Sequence, residues 1–286
     1  MARVAIVTDS TAMLPSDLGD AAELITSVPL QVIVDETAYD DGVEETSPEA
    51  LLAALAAHKT VTTSRPSPAL LAETYAKLAA QGFEEIVSIH LSAELSATCE
   101  SSMLAAREAP VPVLTVDTRQ AGPGVGFAVM AAAAVAGHGG DAAEARAAAL
   151  ERVGATSSYF YVDTLEYLRR GGRIGAAAAL LGTALAVKPL LTIEEGRVVP
   201  HARVRTAERA IARLQALGVE AGEGAESVEV VVAHLGSPDR AAAMAEGLSA
   251  QLADRISGDV RVGELGSVLG AHAGPGCVAV SVGPAL

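Results

Sequence analysis

Tryptophan is absent, phenylalanine occurs three times and tyrosine five, so aromatic residues make up only 3% of the 286 residues. A core in this chain has to be built from Ala, Val and Leu, and there are few rings on which bases could stack. Cations are scarce too: 20 Lys and Arg face 35 Asp and Glu, a net charge of −15. A general nucleic-acid binder needs a basic face, so no nucleic-acid partner is expected. The two cysteines, Cys99 and Cys277, show no CxxC spacing, which excludes a disulfide framework and a structural zinc site and suits a reducing compartment.

Long hydrophobic runs are missing as well. The longest, "GVGFAVMAAAAVAG" and "IGAAAALLGTALAV", fall short of the ~20 residues needed to cross a bilayer and read as buried helices. The apolar run after Arg3 is too short for a signal-peptide core. A cytoplasmic protein with only transient membrane contact is expected. Nucleotide signatures are lacking: Gly122, Gly124 and Gly126 are spaced G-x-G-x-G, and there is no G-x-x-x-x-G-K-[ST]. These glycines read as a tight turn with close helix packing. The six histidines show no H-x-H or H-E-x-x-H spacing, so no metal and no cofactor are assigned.

What is present is alternation. The β-branched runs "RVAIVTDS", "EEIVSIHLS" and "PVLTVDT" alternate with helical stretches such as "PALLAETYAKLAAQG". This predicts an α/β fold of two domains: a mostly parallel sheet in residues 1–155, and a mixed sheet with the hairpin "KPLLTIEEGRVVPHARV" in 156–286. In such folds ligands sit beyond the carboxyl ends of strands. Five polar stretches qualify: "TDSTAMLP", "TTSRPSP", "LSAELSATCESS", "DTLEYLRRGGRI" and "LGAHAGPG".

In "TTSRPSP", Ser67 and Pro68 read as N-cap and first residue of a helix, with Thr63 and Ser64 just before it. In "LSAELSATCESS", Ser92, Ser96 and Thr98 precede or open another. Two hydroxyl-rich helix starts can hold one anion between N–H groups, and simple capping explains them equally well. No G-x-S-x-G elbow surrounds the serines. His272 stands apart in a glycine-flanked loop, where a ligand could approach the backbone closely. Residues 169–209 carry eight cations, Arg173 and Arg205 among them, against three glutamates, a local +5 that suits an anionic ligand or an acidic partner, or internal salt bridges.

Six motifs in order, "TDSTAMLP", "TTSRPSP", "LSAELSATC", "DTLEYLRRGGRI", "KPLLTIEEGRVVPHARVRT" and "GAHAGPG", make the chain resemble the DegV family of bacterial lipid-binding proteins. The resemblance implies a long-chain fatty acid in a buried apolar tunnel, its carboxylate held at Thr63 and Ser96 with Ser64 and Ser92 beside them. It places His272 and Arg205 near the carboxyl end or its phosphorylation, and gives Arg173 a contact to phosphate or partner. It further implies a carrier without catalytic residues of its own, expected as a monomer, that presents the carboxylate to a separate ATP-dependent fatty acid kinase. An acyl tail of about fifteen methylenes gains on the order of 12 kcal/mol on leaving water. A charge-assisted hydrogen bond adds only ~1.5 to 3 kcal/mol, so the tunnel should set affinity and the hydroxyls orientation. The alternative is an acyl hydrolase or transferase with Ser96 as nucleophile and His272 as base. Arg65, Ala97 and Cys99 replace the family's usual Gln, Gly and Tyr, and Ala97 is expected to crowd the approach to Ser96.

Overall fold

The structure, a computed structural model, describes residues 3–181 and 187–286. Thirteen strands are described: β1 Val4–Asp9, β2 Ile25–Val28, β3 Gln31–Val34, β4 Thr37–Asp40, β5 Val61–Ser64, β6 Glu85–His90, β7 Val113–Asp117, β8 Ser157–Tyr161, β9 Lys188–Glu194, β10 Arg197–Val204, β11 Val228–His234, β12 Arg261–Glu264 and β13 Val278–Pro284. They form three sheets, ordered β2-β1-β6-β7, β10-β9-β8-β13-β11-β12 and β4-β3-β5. The fold is α/β with two compact units, residues 1–31 with 63–154 and residues 32–62 with 155–286.

The first unit holds the four-stranded sheet, parallel throughout. Every residue of β1 is buried, as expected of an inner strand covered on both faces. Leu71, Tyr75 and Leu78, on one face of the helix Pro68–Ala80, pack with Val7 and Ile86 of the sheet. Helix Pro123–Gly137 is mostly buried, which suits its lack of an amphipathic pattern. The GPGVG glycines act as expected: Gly122 adopts φ +63 before the helix, and a methyl group on Gly126 would overlap the Ala12 carbonyl.

The six-stranded sheet of the second unit is mixed. All its neighbouring pairs are antiparallel except β11 with β12. The expected hairpin is β9 and β10, turning at Glu195 and Gly196, both with positive φ. Its core packs Leu214 and Leu217 of helix Ala207–Glu223 and Leu248 of helix Pro238–Gln251 against Tyr161, Val230 and Val280. The apolar stretch 174–187 gives a 3₁₀ helix over Gly175–Leu180 in place of the expected longer helix, and residues 182–186 lie outside the described residues.

A single boundary near 155 assigns 32–62 to the N-terminal domain, whereas the structure groups this segment with the second unit. The reason is long-range packing. Leu51, on helix Pro48–Ala56, lies against Gly270, where a side chain would overlap it, and Asp41 accepts a hydrogen bond from the Ser267 N–H at 3.1 Å. Residues more than two hundred positions away decide the membership of this segment, and local periodicity carries no trace of them.

Candidate functional site

The parallel ladder brings the strand ends of the first unit level: His90 pairs in register with Asp117, and Asp9 closes β1. Beyond them the backbone turns into loops. The loop after β6, Leu91–Ala97, is fastened from both sides. The Ser92 N–H donates to the Gln120 carbonyl at 2.8 Å, and the Ala93 N–H to Asp117 Oδ1 at 3.1 Å. The Leu91 N–H donates to Asp9 Oδ2, also at 3.1 Å. Within the loop, the N–H groups of Leu95 and Ser96 both donate to the Ser92 carbonyl.

Two of the hydroxyl candidates sit on this loop. Ser92 is buried, and its Oγ accepts from the Glu94 N–H at 3.2 Å. Ser96 is half-buried, and its hydroxyl shares a 2.8 Å hydrogen bond with that of Thr98. Thr63 and Ser64, both half-buried, are the last residues of β5, and Arg65 next to them is exposed.

The two helix starts differ. At the first, Ser67 caps as expected, its Oγ accepting from the Leu70 N–H at 3.1 Å with Pro68 following. At the second, the N-cap position belongs to Ala97, which makes no side-chain cap. The capping explanation therefore holds for Ser67 and fails for Ser96. Helix Thr98–Ala106 starts without a side-chain cap from its N-cap residue, beside two coupled hydroxyls, an arrangement suited to a carboxylate. Ala97 sits at φ −80, so a residue with a Cβ fits there without backbone strain. The coupling of Ser96 to Thr98 also gives Ser96 a hydroxyl partner where a nucleophile needs a base.

In the second unit, His272 lies in the last turn of the helix Ser267–Ala273 where the sequence suggested a loop, and this helix end with the Gly274–Gly276 turn after it meets the "DTLEYLRRGGR" segment. A methyl on Gly171 would overlap the His272 ring, one on Gly274 the Tyr167 ring, and one on Gly276 the Asp163 carboxylate. The close approach that these glycines permit is thus made by side chains of the same unit, a correction to the reading of room for a ligand. Arg173, its Nη1 donating to the Gly171 carbonyl at 2.6 Å, stands near His272. Burial, aided by the Arg173 charge, pushes the His272 imidazole down to about 4. Arg205 is exposed, directly before Thr206, the N-cap of helix Ala207–Glu223.

Several of the eight cations in 169–209 are tied internally, Arg173 among them through the Gly171 carbonyl. Arg169 and Arg170 both hold Glu166, whose carboxyl they draw down to about 2, and Lys188 donates to the Asp163 carbonyl at 2.9 Å. Both cysteines are buried, and burial raises both thiols, that of Cys277 to about 12, so neither is a reactive thiolate. Among the described residues no group of His, Cys, Asp and Glu is placed to hold a metal. No helix among them is long and apolar enough to cross a membrane.

Sequence reading missed a chain of buried polar side chains in the first unit. Asp9, His90, Ser88, Tyr75, Ser102 and Thr115 are linked end to end by hydrogen bonds. Its signal was available: Ser88 and His90, two apart in an otherwise apolar strand, must share a face.

A family model described as "Uncharacterised protein, DegV family" matches residues 3–285. The chain belongs to the DegV family. A DegV domain-containing protein of Streptomyces coelicolor is 52% identical over 281 residues, covering 98% of each chain. The solved structure of a fatty-acid-binding DegV family protein from Thermus thermophilus superposes with a TM-score of 0.90 at 34% identity, over 99% of this chain and 100% of that one. DegV of Bacillus subtilis, described as a fatty acid binding protein, gives 0.90 at 28% identity over the whole of both chains. The two-domain α/β architecture is therefore that of solved DegV proteins.

Proposed function

We propose that the protein binds a long-chain fatty acid and presents its carboxylate to a separate kinase. The observation that carries this reading is the hydroxyl-bearing helix start at Ser96–Thr98, whose N-cap residue makes no side-chain cap, in a chain whose full length matches fatty-acid-binding DegV proteins. Ser96 orients the carboxylate together with Thr63, with Ser64 and Ser92 shaping the loops beside them. An apolar tunnel of Ala, Val and Leu takes the acyl chain. His272, Arg173 and Arg205 serve the carboxyl end, its phosphorylation or the partner surface, assignments that rest on the family motifs.

The protein is a carrier in this reading and performs no chemistry itself. A carboxylate oxygen attacks the γ-phosphorus of ATP held by the partner, ADP leaves, and an acyl phosphate results. The carrier contributes orientation and keeps the tail out of water. Its place is the cytoplasm, as a monomer that meets the membrane only while exchanging lipid.

Native mass spectrometry before and after organic extraction tests the binding step. A removable mass of a long-chain fatty acid is expected, and a lipid-free preparation that takes up none refutes the reading. The Thr63→Ala, Ser96→Ala double variant is expected to lower phosphorylation by a fatty acid kinase more than it lowers binding. Phosphorylation at the wild-type rate would remove these residues from the headgroup site.

A further inference from the structure

Asp9 is a carboxylate with no exposed surface. Such a charge is costly to bury unless every lone pair finds a donor. Here four donors converge on it. Oδ1 accepts from the Thr11 N–H at 3.1 Å and the Thr11 hydroxyl at 2.5 Å. Oδ2 accepts from the Leu91 N–H at 3.1 Å and lies 3.0 Å from Nδ1 of the fully buried His90. Since the carboxylate can only accept, His90 Nδ1 carries the proton, and Nε2 is left to accept from the Ser88 hydroxyl at 2.8 Å. The Thr118 hydroxyl and N–H both close on the His90 carbonyl. The end of β6, where the Ser96 loop begins, is thus gripped at its backbone and at its side chain.

We propose that Asp9 and His90 are positioning residues for the carboxylate-binding loop. Their hydrogen-bonded grip on Leu91 fixes the direction in which Leu91–Ser96 leaves the sheet, and with it the aim of the Ser96 hydroxyl. The proposal rests on the assignment of Ser96 to the headgroup and extends it to discrimination between a carboxylate and an uncharged acyl headgroup. A loop free to swing would still let the tail bind, because burial of methylenes does not depend on hydroxyl direction. It would lose its preference for the acid.

The outer part of the polar chain should not share this role. Tyr75 bonds Ser88 and Ser102 at 2.8 and 2.9 Å, and Ser102 bonds Thr115. Tyr75 lies seven residues into its helix, about 10 Å from its start, where backbone hydrogen bonds already fix the geometry. Its hydroxyl ties elements together without touching the loop.

The test uses the full-length, lipid-free protein and two readouts: amide hydrogen exchange over Leu91–Ser96, and the ratio of dissociation constants for methyl palmitate and palmitic acid. Asp9→Asn and His90→Gln are expected to speed exchange in the loop and to cut the ester-to-acid ratio about tenfold. His90→Asn, whose amide nitrogen takes the place of Nδ1, should retain most of both, and Tyr75→Phe should lower stability while leaving both unchanged. His90→Gln carries the test should Asp9→Asn fail to fold. Unchanged loop exchange in His90→Gln, or a loosened loop with an undiminished ratio, overturns the positioning role. A wild-type protein with no preference for the acid overturns the headgroup assignment instead, and loop exchange, which needs no ligand, tells the two failures apart.

Discussion

The Ser92–Thr98 loop of the first unit and the Gly270–Gly276 segment of the second, a helix end with the turn after it, are fixed in different ways. The first is held by hydrogen bonds: Asp9, Asp117 and Gln120 take its N–H groups, and Ser96 and Thr98 hold each other. The second has backbone hydrogen bonds, such as that from the Gly276 N–H to the Leu235 carbonyl, and adds to them a constraint of shape, since Gly171, Gly274 and Gly276 leave no room for a methyl beside His272, Tyr167 and Asp163. The difference teaches where this chain can depart from the motifs of the DegV family. A hydrogen-bonded loop accepts Ala97 in place of the usual glycine because φ there is negative, at −80. A segment also constrained by contact between side chain and backbone has no such latitude.

The largest effect should come from breaking the shape-constrained segment. Gly274 combines φ +78 with a Tyr167 ring lying where its Cβ would be. Gly274→Ala then incurs both a left-handed backbone penalty and overpacking, together about 2 to 5 kcal/mol. Urea denaturation followed by circular dichroism should show this as a lower midpoint with little change in slope. A loss below about 1 kcal/mol would mean that Tyr167 can move aside, and the contrast between the two segments would weaken.

A smaller effect follows from the proton on His272. Its folded value of about 4 lies below the ordinary 6.5, so folding disfavours the charged ring. Above pH ~6.5 neither state holds the proton and there is no loss. As pH falls toward 4 the unfolded chain takes it up while the folded chain does not, and stability drops by as much as about 3 kcal/mol. Comparing wild type with His272→Asn across this window isolates the contribution from that of the many carboxylates. Burial is the larger cause and Arg173 the smaller, so Arg173→Gln should recover only the lesser part. A pH profile unchanged in His272→Asn would show that the ring is not enclosed as described.

The strand ends were legible in the sequence because apolar β-runs stop at Asp9, His90 and Asp117, and so were the Ser67 cap and the β9–β10 hairpin. All of these depend on neighbours a few residues apart. What was hidden depends on distance. His90 looked like one of six scattered histidines because its partner Asp9 is 81 positions away. The glycines around His272 suggested space for a ligand, but Gly274 and Gly276 face Tyr167 and Asp163, more than a hundred residues earlier in the chain. Spacing shows that a backbone is approached closely without showing by what.

The smallest effect, and the finest test of the contrast, is at Ala97. The sequence alone suggests that its methyl crowds Ser96, while the structure gives a relaxed φ of −80 and a hydroxyl already turned to Thr98. Restoring glycine gives a slightly better N-cap residue and a more flexible unfolded chain, two opposing changes each of a few tenths to about 1 kcal/mol. Ala97→Gly should therefore change stability by less than about 1 kcal/mol, and palmitic acid affinity should stay within about threefold of wild type. A tenfold gain in affinity would show that the methyl does obstruct the headgroup, and that hydrogen-bond bracing alone does not set the geometry at Ser96.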